Sequence, residues 1–451
     1  MSRMPPQPLQ RLAMVLAALA VVSASATARA AVGSDPPSRF GVDAPELARL
    51  GPHAVGVRTL NLRDPDQPDV LAYDAAKGAA PLRTRELAVE LWYPARPAAG
   101  ARGTTYAASL PSEPPAAPAR FTVPGLAVRD APAEDRTFPL VLVSHGYSND
   151  PVAMTWLTEN LASKGYVVAA IRHADPPITD RGKFAEPALR RPLDIAFVAR
   201  TLQRDEARLI DVGRVALLGY SMGGYGVLAA GGASLDPQSR LARMIPGGLL
   251  LPYAQGGARQ AELAVAGLRA VVAISPAGGA LGAFGSAGLQ SLRVPLLLIA
   301  GDADRTVNYL SGARAFFDQA INAHRYLLTF KGAGHSIGLN PAPRAMRARL
   351  WDQDWFEDPV WRAERVNAIN AHFICAFLDR YLKGDETRAS YLDVPVAESA
   401  EGTWADAPAS AGYDAFSPGP PVTLWKGFQR SAAAGLELLQ ALPAGARAAQ
   451  P

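Results

Sequence analysis

The stretch Gly219-Tyr220-Ser221-Met222-Gly223-Gly224 lies between an apolar run that begins at Val215 and a segment of small residues. The apolar run predicts a strand buried on both faces, and the small residues after it favour a helix. A Gly-x-Ser-x-Gly pattern between a strand and a helix predicts a sharp turn that exposes the serine hydroxyl. Glycines on either side of the serine carry no Cβ that could clash within such a turn. The sequence therefore predicts Ser221 as a strained and exposed nucleophile.

Similar apolar runs recur on both sides of this turn. The predicted buried strands are Phe138–Ser144, Tyr166–Ile171, Val215–Gly219, Ala270–Ile274, Val294–Ala300 and Tyr326–Phe330. The helical segments between and after them are 150–165, Pro192–Arg204, Tyr309–Ala323 and Arg365–Leu382. This alternation predicts an α/β fold with a mostly parallel central sheet and helices on both faces. Two alternating runs, Val55–Leu62 and Glu86–Tyr93, predict an antiparallel addition at one edge.

The chain has 451 residues, which suggests one large domain with insertions. Residues 1–30 are predicted as a cleavable signal peptide, because arginines precede an apolar run that ends in small residues. We predict a flexible lead-in at 31–50, the main domain at 51–384 and a C-terminal extension at 385–451 that packs on it. Residues 231–268 form either a cap over the site or a surface excursion. Residues 94–137 read as a loop, and Leu436, Leu439 and Leu442 have helical spacing.

Candidate carboxylates and one candidate imidazole for a catalytic triad follow Ser221 in the chain, each directly after a predicted buried strand. Asp302 and Asp304 both follow a buried strand, where a carboxylate faces the same sheet edge as the nucleophile. Asp304 is preferred as the acid, because Gly301-Asp302-Ala303-Asp304 resembles the acid loop of α/β-hydrolases, and Asp302 is then a turn residue. His335 lies in a glycine-rich loop after the next strand, and it alone of the six histidines fits both the place and the order. It is the predicted base.

The oxyanion hole of such a site needs two N–H donors aimed at the developing negative charge. One donor is predicted at Met222, directly after the nucleophile, and the other at Tyr147, in the loop that follows the first buried strand. His145 shapes this loop or bonds a neighbouring one. The segment 336–364 holds Trp351, Trp355, Phe356 and Trp361, which either form an apolar wall of the cleft or pack in the core.

Charge and cysteine content exclude several other classes of protein. The net charge of +4 falls close to zero when the three arginines of residues 1–30 are removed, so no basic footprint for nucleic acid remains. The single cysteine, Cys375, rules out an intrachain disulfide and is predicted as a small buried residue. We find no metal-ligand spacing and no cofactor motif, since His173-Ala174-Asp175 reads better as loop. No apolar stretch beyond the predicted signal is long enough to span a membrane.

Two stretches beside the turn add a family resemblance. Val141-Leu-Val-Ser-His-Gly146 and Leu161-Ala-Ser-Lys-Gly-Tyr-Val-Val-Ala-Ala-Ile-Arg-His173 resemble the dienelactone hydrolase-like families and platelet-activating factor acetylhydrolases. Arg191-Pro192-Leu193-Asp194 adds to this resemblance, which covers residues 50–385. It implies an α/β-hydrolase fold and a metal-independent serine esterase. True dienelactone hydrolases carry cysteine where this chain has Ser221. The pair Ser221-Met222 and Tyr147 also resemble cutinase-like polyester hydrolases, which commonly carry a disulfide.

The expected function is a secreted serine hydrolase, periplasmic or extracellular, that cleaves carboxylic esters through a covalent acyl-enzyme. A small-molecule or lipid ester is the expected substrate, with short-acyl or lipid esters first. A polyester hydrolase is the alternative within enzymes. A catalytically inactive scaffold that serves as a binding protein is the alternative outside them.

Overall fold

The computed structural model describes residues 40–403, 422–429 and 432–446. The predicted signal peptide, 1–30, and most of the predicted lead-in lie outside these residues. The strands are β1 (Ala54–Pro68), β2 (Leu82–Ala95), β3 (Thr105–Leu110), β4 (Ala119–Pro124), β5 (Val128–Arg129), β6 (Phe138–Ser144), β7 (Val167–Arg172), β8 (Ile210–Tyr220), β9 (Leu268–Ile274), β10 (Leu296–Gly301), β11 (Arg325–Phe330) and β12 (Leu436–Ala441).

The helices are concentrated between these strands. They are α1 (Thr155–Ser163), α2 (Ala185–Asp205), α3 (Met222–Ala230), α4 (Arg240–Met244), α5 (Gly285–Gln290), α6 (Ala315–Gln319), α7 (Leu350–Gln353), α8 (Ala363–Lys383) and α9 (Ala389–Leu392). Within the described ranges, no helix combines the length and the apolar composition needed to cross a membrane.

One sheet of ten strands organises the molecule, in the order β12-β11-β10-β9-β8-β6-β7-β2-β1-β5. The six strands from β11 to β7 are parallel to one another. The strand pairs β1–β2, β2–β7 and β11–β12 are antiparallel. The prediction of a mostly parallel sheet with an antiparallel edge is therefore confirmed. Because parallel strands end at one edge, β6, β8, β10 and β11 all deliver their following loops to the same side.

The sheet separates two hydrophobic cores. Successive residues of β6 alternate between them, with Val141 and Val143 in one core and Leu140 and Leu142 in the other. Helices α1 and α8 fill the first core, and helices α2 and α3 fill the second. A strand with apolar side chains on both faces reads as a continuous apolar run, which is why these strands are visible in the sequence.

Helix α2 begins earlier than the sequence indicates, at Ala185 instead of Pro192, and the proline lies inside it. A proline has no N–H for the carbonyl four residues earlier, here that of Ala188. The Tyr225 hydroxyl on α3 donates to that carbonyl over 2.8 Å. This side chain supplies the hydrogen bond that the proline cannot make, so the helix continues through Pro192.

The segment 94–137, predicted as a loop, contains the antiparallel hairpin β3–β4. Buried Glu159 on α1 accepts hydrogen bonds from the Tyr106 hydroxyl and the Leu126 N–H at the base of the hairpin. At its tip, the Ser112 hydroxyl donates to the buried Asp352 carboxylate. Proline-rich composition hid the strands, because four prolines lie in the tip and Pro124 lies in the last residue pair of the hairpin.

The C-terminal leucines form a strand, so the prediction of a helix there is wrong. Strand β12 pairs antiparallel with β11, and Leu438 lies opposite Leu328. Leu436 and Leu438 are buried in the first core, whereas Leu439 packs half-buried against the second. A six-residue segment satisfies both a period of two and a period of three to four, and pairing with β11 decides between them. The predicted domain boundaries themselves stay predictions.

Because β12 is a strand, the adjacent residues Leu438 and Leu439 face opposite sides of the sheet, and their contributions to stability should differ. Leu438→Ala is expected to lower the free energy of unfolding by about 2–4 kcal/mol, because it leaves a cavity in a closed core. Leu439→Ala, the matched control, is expected to cost less than half as much. Urea unfolding of both variants measures the difference. Equal losses, or a larger loss at Leu439, would contradict the strand.

Candidate active site

Ser221 lies at the turn between β8 and α3 in a conformation that L-residues rarely adopt, with φ 55° and ψ −115°. The neighbouring glycines permit this turn. A Cβ built on Gly219 would lie 2.2 Å from the Gly223 carbonyl oxygen, and one built on Gly223 would lie 1.9 Å from the Ser144 carbonyl oxygen. Side chains at these two positions are therefore excluded, as the sequence pattern indicates.

The structure brings Ser221, Asp304 and His335 together at the carboxyl edge of the sheet. The Nε2 atom of His335 is 3.0 Å from Ser221 Oγ, and its Nδ1 atom is 2.8 Å from Asp304 Oδ2. These three side chains follow β8, β10 and β11, respectively. The distances allow the imidazole to take a proton from the hydroxyl while its other nitrogen donates to the carboxylate.

The Asp304 carboxylate is buried and held ionised by its partners. Burial alone would raise the pKa of Asp304, but the hydrogen bond and charge of His335 and the N–H groups of Val307 and Thr306 together lower it. Asp302, the rival considered for this role, is exposed and accepts the Gly332 N–H over 2.6 Å. It ties the two loops of the site together and does not contact the imidazole.

Two residues that sequence analysis did not assign fix the histidine loop. The Tyr220 ring stacks on His335 with centroids 5.3 Å apart, and its hydroxyl donates to the His335 carbonyl over 3.2 Å. Asp358 accepts the Gly334 N–H over 2.6 Å and also the N–H of Trp361. Tyr220 lies inside the Gly-x-Ser-x-Gly pattern, so its place beside the serine was available as a signal. Asp358 gave no such signal.

The predicted oxyanion donors belong to Met222, which follows Ser221 in the chain, and to Tyr147, which lines the same cleft as Ser221. Met222 is the first residue of α3, and the N–H groups of the first helical turn have no acceptor inside the helix. No backbone hydrogen bond among the described residues uses the Tyr147 N–H. A Cβ built on Gly146 would lie 3.5 Å from Ser221 Cβ, so the Gly146–Tyr147 peptide runs directly beside the nucleophile.

A buried polar network lies behind this loop. The ring of His173 bridges Ser144 Oγ and Asp194 Oδ2 at 2.9 Å and 2.8 Å. Arg191 pairs with Asp175, so the weak metal candidate His173-Ala174-Asp175 has protein partners on both of its polar side chains. The described residues contain no group of three or more His, Cys, Asp or Glu placed to hold a metal ion.

A cleft of about 640 Å³ opens over Ser221 and His335, and a second of about 670 Å³ adjoins it. The two share walls of Tyr147, Ile178 and Trp351. Trp351 and Trp355 line the first cleft, with ring centroids 5.6 Å apart. Phe356 and Trp361 are buried in the core instead. The aromatic segment therefore divides, one pair forming the cleft wall and the other packing inside.

The sheet topology and this arrangement at its edge are those of the α/β-hydrolase fold, which the sequence predicted. The model of a PET hydrolase-like family matches residues 130–246, which include Ser221 and Tyr147 but not Asp304 or His335. Two curated relatives are 27% identical over 206 residues, 45% of this chain: Cutinase 2 of Thermobifida cellulosilytica and Cutinase cut1 of Thermobifida fusca. The matched part spans 63% and 51%, respectively, of those relatives' lengths.

A solved structure shares the fold over a larger part of the chain. The ferulic acid esterase of Streptomyces cinnamoneus superposes with a TM-score of 0.50 over 73% of this chain and 90% of its own, at 21% identity. At that identity the likeness concerns the fold alone.

The buried histidines behind the loop make stability depend on pH. Burial lowers the pKa of His173 to about 4, an effect that Arg191 reinforces and Asp194 opposes, and it lowers the pKa of His145 well below the usual value. Unfolded imidazoles titrate near pH 6.5. Between about pH 6.5 and 4 the unfolded chain therefore binds more protons than the folded chain, and stability falls as the pH is lowered.

From pH 7.5 to pH 5, His173 alone is expected to remove about 2 kcal/mol from the free energy of unfolding. Urea unfolding at the two pH values measures this loss. His173→Asn, whose amide nitrogen can still donate to Asp194, should show a pH dependence smaller by about the same amount. An identical pH dependence in the variant and the wild type would show that His173 is not the group responsible.

Proposed function

We propose that this chain hydrolyses carboxylic esters through a covalent acyl-enzyme formed on Ser221. The observation that carries the proposal is the position of the His335 ring, within hydrogen-bond distance of both Ser221 Oγ and Asp304 Oδ2. A serine hydroxyl is a weak nucleophile until a positioned base removes its proton, and this geometry provides the base. The names of the relatives, cutinases and PET hydrolase-like proteins, support ester chemistry.

In the first half of the reaction, His335 Nε2 takes the hydroxyl proton as Ser221 Oγ attacks the ester carbonyl carbon. The resulting oxyanion lies on the N–H groups of Tyr147 and Met222. The carbon–oxygen bond to the alcohol then breaks, and His335 delivers its proton to the leaving alcohol. In the second half, His335 deprotonates a water that attacks the acyl-enzyme, and the acid leaves as Ser221 regains its proton.

Apolar esters are the substrates that the cleft favours. Its walls carry Trp351, Trp355 and Ile178, and the adjoining cleft adds Phe184 and Met244. We retain lipid and short-acyl esters as the first candidates. Polyesters are the second candidate. They are supported by the two adjoining clefts, which offer room for more than one repeat of a chain, and by the similarity to cutinases and to the PET hydrolase-like family.

Export is part of the proposal and is supported by residues 1–30. Their arginines, apolar run and small residues fit a cleavable signal, which lies outside the described residues. Expression of the full chain in a secreting host is expected to release a protein whose first residue follows Ala28 or Ala30. N-terminal sequencing checks this, and an intact N-terminus on exported protein would contradict it.

The function is tested by labelling and turnover on the same protein. A fluorophosphonate probe is expected to modify wild type and not Ser221→Ala, because the probe requires the activated hydroxyl. p-Nitrophenyl esters of increasing acyl length and a suspension of aromatic polyester then rank the two substrate classes. A folded wild type that gives no Ser221 adduct and cleaves no ester would favour the inactive binding scaffold.

The acid of the triad is tested by a matched pair of aspartates. Asp304→Asn is expected to lower kcat by about 10⁴-fold, because the imidazole loses its orienting carboxylate. Asp302→Asn keeps the turn and should leave kcat within about threefold, since Asp302 only accepts a backbone N–H. Steady-state kinetics with p-nitrophenyl acetate measures both. Equal losses of kcat in the two variants would show that the negative charge of this loop, and not the hydrogen bond between Asp304 and His335, determines the rate.

A further inference from the structure

The side chain of Arg191 is completely buried and donates several hydrogen bonds to the loop that carries Tyr147. Its guanidinium donates to Ser144 Oγ over 3.1 Å, to the Gly146 carbonyl over 3.0 Å, and to the His145 carbonyl. It also pairs with the buried carboxylate of Asp175. A guanidinium has five N–H donors in a rigid plane, so one side chain can hold several acceptors in fixed relative positions.

Asp175 binds the same loop on the other side of Tyr147. Its Oδ2 atom accepts the Ser148 N–H over 2.9 Å. Ser148 has φ 55°, in the left-handed region that a residue with a side chain rarely occupies, and this hydrogen bond holds it there. The Arg191–Asp175 pair thus binds the carbonyl before Tyr147 and the N–H after it.

The held carbonyl decides where the Tyr147 N–H points. In a trans peptide the C=O and the following N–H lie in one plane and point in opposite directions. Because the Gly146 carbonyl is turned inward to Arg191, the Tyr147 N–H is turned outward. The same peptide runs beside Ser221, as the 3.5 Å approach of a Gly146 Cβ to Ser221 Cβ shows. His145 Nδ1, at 2.7 Å, and the Asn149 N–H, at 3.3 Å, also contact the Gly146 carbonyl.

The anchor itself is rigid. Arg191 lies on α2, and α3 packs so closely against it that a Cβ built on Gly226 would lie 3.1 Å from Arg191 Cβ. The Tyr225 hydroxyl bonds the Ala188 carbonyl one turn earlier in the same helix. Since Tyr225 and Gly226 belong to the helix that starts at the nucleophile, the helix that presents Met222 also fixes the base of Arg191.

We infer that Arg191, with Asp175, is a positioning residue that aims the Tyr147 N–H into the oxyanion hole. This inference rests on the proposed function. A group that only stabilises the fold would change the unfolding temperature and leave the bound transition state alone. A group that aims an oxyanion donor should instead lower kcat with little change in KM, because the donor acts on charge that exists only in the transition state.

The test compares Arg191→Lys with Arg85→Lys. Arg85 is also buried and makes a two-point ion pair, with Asp194, but its hydrogen bonds within the described part of the chain go to Asp194, Glu186 and the His173 carbonyl and not to residues 144–148. Arg191→Lys is expected to lower kcat on p-nitrophenyl acetate by about 10- to 100-fold with KM within about threefold, as loss of an oxyanion donor costs 10²–10³. Arg85→Lys is expected to keep kcat within about threefold.

A second readout separates aiming from folding. The sulfur of a thionoester accepts hydrogen bonds poorly, so Arg191→Lys should slow the oxoester several times more than the matching thionoester. Arg85→Lys should slow both equally.

If Arg191→Lys does not fold, Asp175→Asn is measured in its place. This variant keeps the buried arginine and weakens the hydrogen bond to Ser148, and the same ratio of oxoester to thionoester rates is measured. If wild type cleaves esters through Ser221 and both loop variants keep its kcat and ratio, this inference is overturned. If wild type cleaves none, the proposed function fails first.

Discussion

The site depends on one close contact, between the end of β6 and the turn that follows β8. The turn at Ser221 can press against the end of β6 only because Gly223 has no side chain, since a Cβ there would lie 1.9 Å from the Ser144 carbonyl. Ser144 is the residue from which the Tyr147 loop departs. The same contact therefore sets the nucleophile and its neighbouring loop in register with each other. The parallel sheet then adds Asp304 and His335 from β10 and β11 at the same edge.

Several buried polar groups lie beside this contact, and each buried carboxylate among them has a charged or hydrogen-bonding partner. Asp175 faces Arg191, and Asp194 faces Arg85 and His173. Buried charges are costly unless they are paired and hydrogen-bonded, so each carboxylate here has a cationic or N–H partner. Burial keeps His173 neutral at neutral pH, with a pKa of about 4, which limits the charge behind the loop to the arginine–carboxylate pairs.

The sequence predicted the parts whose signal is local. Continuous apolar runs mark the central strands, and the Gly-x-Ser-x-Gly turn marks Ser221. Asp304 and His335 each follow a predicted strand, and parallel strands deliver their following loops to one edge. The partners of these residues are not visible in this way. Arg191 on α2 and Asp175 in the loop after β7 are 16 residues apart, and only the folded chain shows that they pair. Strand β12 is recognisable only beside β11, because its short apolar pattern fits a helix equally well.

The reacting side chains and the walls of the substrate cleft come from different parts of the molecule. The reacting groups follow strands of the sheet, whereas the cleft walls come from segments outside it. The Asp352 carboxylate joins two of these segments, since it accepts the Ser112 hydroxyl from the β3–β4 tip and lies one residue from Trp351. Residues 231–268 contribute Met244 to the adjoining cleft. Because Trp351 and Trp355 lie on segments outside the sheet, the shape of this wall can change while the sheet keeps the geometry of Ser221, Asp304 and His335.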